Sequence, residues 1–185
     1  MSKVLIPLAQ GCEELEAVTV ADILRRAGVD VLLAGLNSGG VRCSRGVVLL
    51  PDILLDDVLA QTFDMVVLPG GMPGSEHLKN DLRVQDILKK TAAQGGYIAA
   101  ICAAPMALHA AGLLQGKAVT SFPGVLDLLP GSHRYSHEAV VVDGRIVTSR
   151  GPGTAMDFAL TLVELLCGKH QRDEVEAELQ RPARV

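Results

Sequence analysis

Unbroken apolar runs and helical stripes take turns along this chain. Residues 3–9, KVLIPLA, predict a short strand. Val20, Ile23, Leu24 and Ala27 then recur at the i, i+3, i+4, i+7 spacing of an amphipathic helix, with Gly28 as its stop. Residues 29–36 (VDVLLAGL) predict a second strand, and 41–52 (VRCSRGVVLLPD) a shorter β excursion turning at Arg45-Gly46. Residues 64–71 (DMVVLPGG) predict a buried strand ending in a glycine pair, and the polar segment 81–94 a surface helix. The run YIAAI, 97–101, is a strand that stops at Cys102, where a helix begins. Residues 117–122 (KAVTSF) predict one more strand, and 139–149 (AVVVDGRIVTS) a hairpin turning at Asp143-Gly144. Met156, Ala159, Leu160, Val163 and Leu166 form a last apolar stripe, ended by Gly168. The charged tail after it predicts a surface helix that frays.

Strand–helix alternation implies parallel strands with helices on both faces of the sheet. Strands buried on both faces read as continuous apolar runs, as these do. The expected fold is α/β and doubly wound, with residues 1–185 as one domain. Ligands of such sheets bind beyond the carboxyl ends of the strands. QGCEELE after the first strand, GGMPGSE after the third and Cys102 after YIAAI should therefore share one edge.

Composition narrows the classes. The chain has 185 residues, 49% hydrophobic but only 3% aromatic, so its core must be aliphatic. A net charge of −4 with no basic tract removes the electrostatic footprint of nucleic-acid binding. No window reaches the roughly 18 apolar residues of a membrane span, and the N-terminus lacks a secretory pattern; a cytoplasmic protein without a membrane partner is expected. Cys12, Cys43, Cys102 and Cys167 include no C-x-x-C pair, so neither a zinc site nor a disulfide framework is expected.

Cys102 has two readings. Cysteine suits a buried turn as a small hydrophobe, yet a strand-to-helix corner also exposes sulfur to the helix's unpaired amides, which favour a thiolate. Cys12, Cys43 and Cys167 lack that geometry and read as structural. Glu13, Glu14 and Glu16 open a helix, where acids complement the dipole. One turned inward against Cys102 would be held protonated and would act as an acid/base. Gly70 and Gly71 form either a plain strand-ending turn or a place where amides meet a ligand, with the Gly71 and Ala103 N–H groups as an oxyanion hole. No dinucleotide or Walker fingerprint is present. Of His77, His109, His133, His137 and His170, none is marked by its position as a base for Cys102.

With AAICAAP, VVLPGG, GCEELEAV, CSRGVVLLPD and TSRGPGTAMDFAL in this order, residues 3–178 resemble the ThiJ/PfpI superfamily, more narrowly its bacterial YajL-like branch, related to the parkinsonism-associated protein deglycase. The resemblance implies a flavodoxin-like three-layer sandwich that forms homodimers. It implies Cys102 as nucleophile and oxidisable residue, Glu16 as its protonated partner, Gly71 and Ala103 as oxyanion amides beside Gly70, and Arg45 near the site or the dimer interface. Phe122 stands where some members carry a histidine, which argues against a Cys–His–acid protease. The implied activity is a glyoxalase or deglycase that uses no cofactor or metal. Its substrates would be methylglyoxal, glyoxal or their thiol and amine adducts. The alternative is an oxidative-stress sensor and chaperone whose Cys102 becomes a sulfinate.

Overall fold

The structure, a computed structural model, describes residues 1–181. In chain order it contains β1 (Lys3–Leu8), α1 (Glu14–Arg26), β2 (Asp30–Gly35), β3 (Val41–Arg42), β4 (Val48–Leu49), β5 (Ile53–Leu54) and β6 (Met65–Leu68). Then follow α2 (Gly74–Asn80), α3 (Leu82–Ala93), β7 (Tyr97–Ile101), α4 (Pro105–Ala110), β8 (Ala118–Val119) and β9 (Arg134–Tyr135). The hairpin β10 (Val140–Asp143) and β11 (Ile146–Ser149) precedes α5 (Ala155–Cys167) and α6 (Lys169–Glu178).

Seven strands form one sheet in the order β10-β11-β7-β6-β1-β2-β5, parallel throughout except for the β10 edge. Side-chain alternation divides the strands between two cores. Val4, Ile6, Leu8, Met65, Val67, Ala99 and Ile101 pack under α1 and α5, around the fully buried Phe158. Leu5, Val66, Leu68, Ile98 and Ala100 point the other way, against Leu78, Val84, Leu88 and Leu108 of α2, α3 and α4. Both strand faces are buried, which is why the runs are continuously apolar. The layers are helix, sheet, helix, as the α/β doubly wound expectation requires.

Three local readings are corrected. The strand expected at 117–122 shrinks to β8, which pairs with β9 in a separate two-stranded sheet. Its later amides turn elsewhere: Thr120 N–H donates to Thr148 Oγ1 at 2.9 Å, and Phe122 N–H to the Cys102 carbonyl at 2.8 Å. The hairpin turns one residue later than expected, on Gly144-Arg145, since Asp143 pairs with Ile146. α2 forms where the sequence shows no apolar stripe to predict a helix. The tail is docked rather than frayed up to Arg181: Val175 is buried and the Arg181 guanidinium reaches Asp157 at 2.7 Å. The end of that tail, residues 182–185, lies outside the described residues.

Candidate active site

The chain leaves β1 for β2 on one side and later places β6 on the other, so the sheet order reverses at β1 and β6. A crevice opens at such a switch point beyond the strand ends. Here the segment after β1, the glycine pair after β6 and Cys102 after β7 meet.

Cys102 sits in the left-handed region, with φ +63°, a conformation that costs a non-glycine residue about 1 kcal/mol or more. Neighbours on both sides hold it there. Its N–H donates to the Ser149 carbonyl at 3.0 Å, and its carbonyl accepts from Phe122 N–H at 2.8 Å. The side chain is half-buried and lifts its sulfur toward the Gly71 and Ala103 amides, which draw the thiol pKa down.

Glu16 lies beneath, with no solvent exposure. Its Oε2 accepts the Gly70 N–H at 2.7 Å, whereas Oε1 has no hydrogen-bond partner. Gly70 is the close-approach point. A Cβ there would stand 2.6 Å from the Cys102 Cβ and 2.7 Å from Glu16 Oε2. Gly71 has φ +85°, and a Cβ on it would strike the backbone of Cys12 and Glu13 at 2.4–2.6 Å. The glycine pair thus lets three chain segments touch.

Burial holds the Glu16 carboxyl up at about 7, against the pull of the Gly70 N–H. Burial, and next the charge of an ionised Glu16, push the Cys102 thiol up to about 12, outweighing the two amides. Amides alone therefore do not make the thiolate expected from the corner geometry. The sulfur can ionise readily only while Glu16 keeps its proton and exerts no repulsion.

The cleft above the sulfur has a volume of about 510 Å³. Cys102, Gly71 and Ala103 form its base; Met72, Met106, Phe122, Val125 and Pro152 form apolar walls. Glu13, Ser44 and Arg45 supply the polar side. Arg45 is exposed, and among the described residues its guanidinium has no ion-pair or hydrogen-bond partner. Its backbone is held from below, because Glu14 accepts the N–H groups of Arg45 at 3.0 Å and Val47 at 3.3 Å. Ser44 Oγ donates to Glu13 at 2.7 Å. Glu13 and Glu14 are therefore more than first-turn acids: they organise the turn that carries Ser44 and Arg45. Their role depends on a contact some 30 positions away, which no local pattern reveals.

The five histidines stay out of this cleft. His109 and His133 bond the carbonyls of Pro130 and Leu126, and His137 rests edge-on against Tyr135. His77 lies on α2, and His170 faces Glu174 on α6. Among the described residues there is no group of three or more side chains fit to hold a metal, and no helix is long and apolar enough to cross a membrane.

Residues 2–165 match the model of the DJ-1/PfpI family. The protein dj-1beta of Drosophila melanogaster is 48% identical over 178 residues, covering 95% of each chain. The glutathione-independent glyoxalase DJR-1.2 of Caenorhabditis elegans is 36% identical over 172 residues, covering 93% of this chain and 91% of its own. The solved structure of oxidized Toxoplasma gondii DJ-1 superposes with a TM-score of 0.93 at 42% identity, covering 97% of this chain and 98% of that one.

Proposed function

The chain belongs to the DJ-1/PfpI family, and from that membership and the site geometry we propose that it is a cysteine-dependent, cofactor-independent glyoxalase or deglycase. Its substrates would be methylglyoxal, glyoxal or their early thiol and amine adducts. The observation that carries this reading is the stack of Cys102 sulfur over buried Glu16, facing two amides at the base of a mostly apolar cleft. A relative named as a glutathione-independent glyoxalase supports the substrate class.

In the proposed reaction the Cys102 sulfur adds to the aldehyde carbon of methylglyoxal. The carbonyl π pair becomes an alkoxide, stabilised by the Gly71 and Ala103 N–H groups. Glu16 gives its proton to the ketone oxygen, and its carboxylate then takes the proton of the former aldehyde carbon and returns it to the neighbouring carbon, as the alkoxide closes to a carbonyl. The result is a lactoyl thioester on Cys102. Water then adds to it, sulfur leaves with a proton, and lactate is released. One methylglyoxal and one water give one lactic acid, with no external oxidant or reductant. The apolar walls suit a methyl group, and Arg45 at the polar side suits the carboxylate product.

Purified protein with methylglyoxal should release lactate in a steady-state assay, and Cys102→Ala should abolish it. Absence of turnover in the wild-type protein would defeat this reading. It would leave the sensor reading, supported by the same geometry: the amides and a protonated Glu16 would hold the oxygens of a Cys102 sulfinate.

We also propose a homodimer. Leu15 and Val18 on α1 and Val47 and Val48 around β4 are about half exposed, and Leu50 beside them is 79% exposed. The Glu14–Val47 hydrogen bond brings the two segments beside each other, and a second copy would cover their exposed apolar side chains.

A further inference from the structure

Cys12 and Cys43 are 31 positions apart in the chain, yet their sulfurs lie 3.6 Å from each other in the interior. Cys12 is fully buried and Cys43 is 4% exposed; both are free thiols. Two backbone hydrogen bonds fasten their segments side by side, Gly11 N–H to the Arg42 carbonyl and Ser44 N–H to the Cys12 carbonyl, each 2.8 Å. A disulfide needs the sulfurs to close by about 1.5 Å. The fastened segments hold the two sulfurs facing each other across that gap.

The pair also sits under the cleft. Cys12 backbone underlies the glycine loop, since a Cβ on Gly74 would stand 2.5 Å from the Cys12 nitrogen. Cys43 opens the turn that carries Ser44 and Arg45. A bond between the two sulfurs would tie both segments together behind the Cys102 site.

We propose that Cys12 and Cys43 are a second redox site, separate from Cys102: a dithiol that hydrogen peroxide converts to an intramolecular disulfide. Cys43, the sulfur nearer solvent, attacks a peroxide oxygen. The O–O bond breaks, one water leaves, and Cys43 becomes a sulfenic acid. Cys12 sulfur then attacks the Cys43 sulfur, the S–O bond breaks, and a second water leaves with the Cys12 proton. The two thiols lose two electrons and two hydrogens, and one peroxide becomes two waters. Burial favours the neutral form of each thiol, so this oxidation is slow. The shielding also selects a small oxidant over a bulky disulfide.

The test uses hydrogen peroxide on the 185-residue chain, wild type and Cys102→Ala. Remaining thiols are then blocked with maleimide in denaturant, and unreduced peptides are weighed by mass spectrometry. The expected product in both proteins is a Cys12 peptide joined to a Cys43 peptide, lighter by two hydrogens than the pair of thiol peptides and released by dithiothreitol. The link should raise the thermal midpoint by about 5 °C, an increase absent from Cys12→Ala and Cys43→Ala. Recovery of both residues as maleimide adducts, under conditions where Cys102 has gained oxygen, would overturn the proposal. So would a link from either residue to Cys102 or Cys167. The measurement reads sulfur mass rather than turnover, so it stands or falls apart from the carbonyl chemistry.

Discussion

At the scale of single residues, the site holds an unfavourable pairing in place. Glu16 keeps its proton to about pH 7 in the fold, against an ordinary value of 4.5. The folded state therefore binds that proton more tightly than the unfolded chain. The resulting loss of stability is absent below pH 4.5 and grows to roughly 3 kcal/mol above pH 7. Glu16→Gln should accordingly be more stable than the wild-type protein at pH 8 and indistinguishable from it at pH 4, by urea denaturation at the two values. The same variant should lose turnover by about 100-fold or more, because an amide cannot relay a proton. Gly70→Ala carries a different expectation. Its Cβ would meet the Cys102 Cβ at 2.6 Å and the Ile101 carbonyl at 2.9 Å, atoms that cannot swing aside. A loss of about 1–3 kcal/mol is expected, with Cys102 alkylation changed as the sulfur is displaced. Thermal melting and iodoacetamide rates measure both.

At the scale of elements, two helices show what fastens the sheet's faces. Asp81 caps α3, accepting the N–H groups of Arg83 at 2.9 Å and Val84 at 3.4 Å. The Arg83 guanidinium beside it, together with those amides, holds its carboxyl below the ordinary range. Asp81→Ala should cost about 1–2 kcal/mol near neutral pH. The difference should shrink as pH falls below the ordinary aspartate value, because the unfolded chain then takes up a proton at Asp81 that the folded cap resists. On the opposite face, Phe158→Ala empties the centre of the α1–α5 core and should cost about 3–5 kcal/mol, read by equilibrium denaturation.

The elements also show where sequence reading succeeds. β1, β2, β6 and β7 were legible because burial on both faces writes an apolar run, and α1 because burial on one face writes a stripe. β8 is shorter than its apolar run predicts, because Thr120 and Phe122 leave the ladder for other partners. α2 hid inside a loop-like composition, MPGSE. The corner cysteine and its glycines could be found from strand ends alone. Selecting Glu16 from three acids needed the family resemblance, and the meeting of Cys12 with Cys43 left no local trace.

For the whole molecule, the proposed homodimer makes a direct prediction. Sedimentation equilibrium should give twice the 19.5 kDa chain mass. Leu50→Asp together with Val48→Asp should shift the species toward monomer while the far-ultraviolet circular dichroism stays unchanged. Charges placed on an exposed apolar face disturb association more than folding.

Cys102 is gripped through its own main chain, by Ser149 on one side and Phe122 on the other. Everything between those anchors, including the cleft wall at Gly124 and Val125, departs from the sulfur and comes back to it as a closed excursion. Its exposed positions between Phe122 and β9 lie outside the central sheet and form a natural cassette: diversifying them would retailor which molecules enter while leaving the reactive atom's seat untouched.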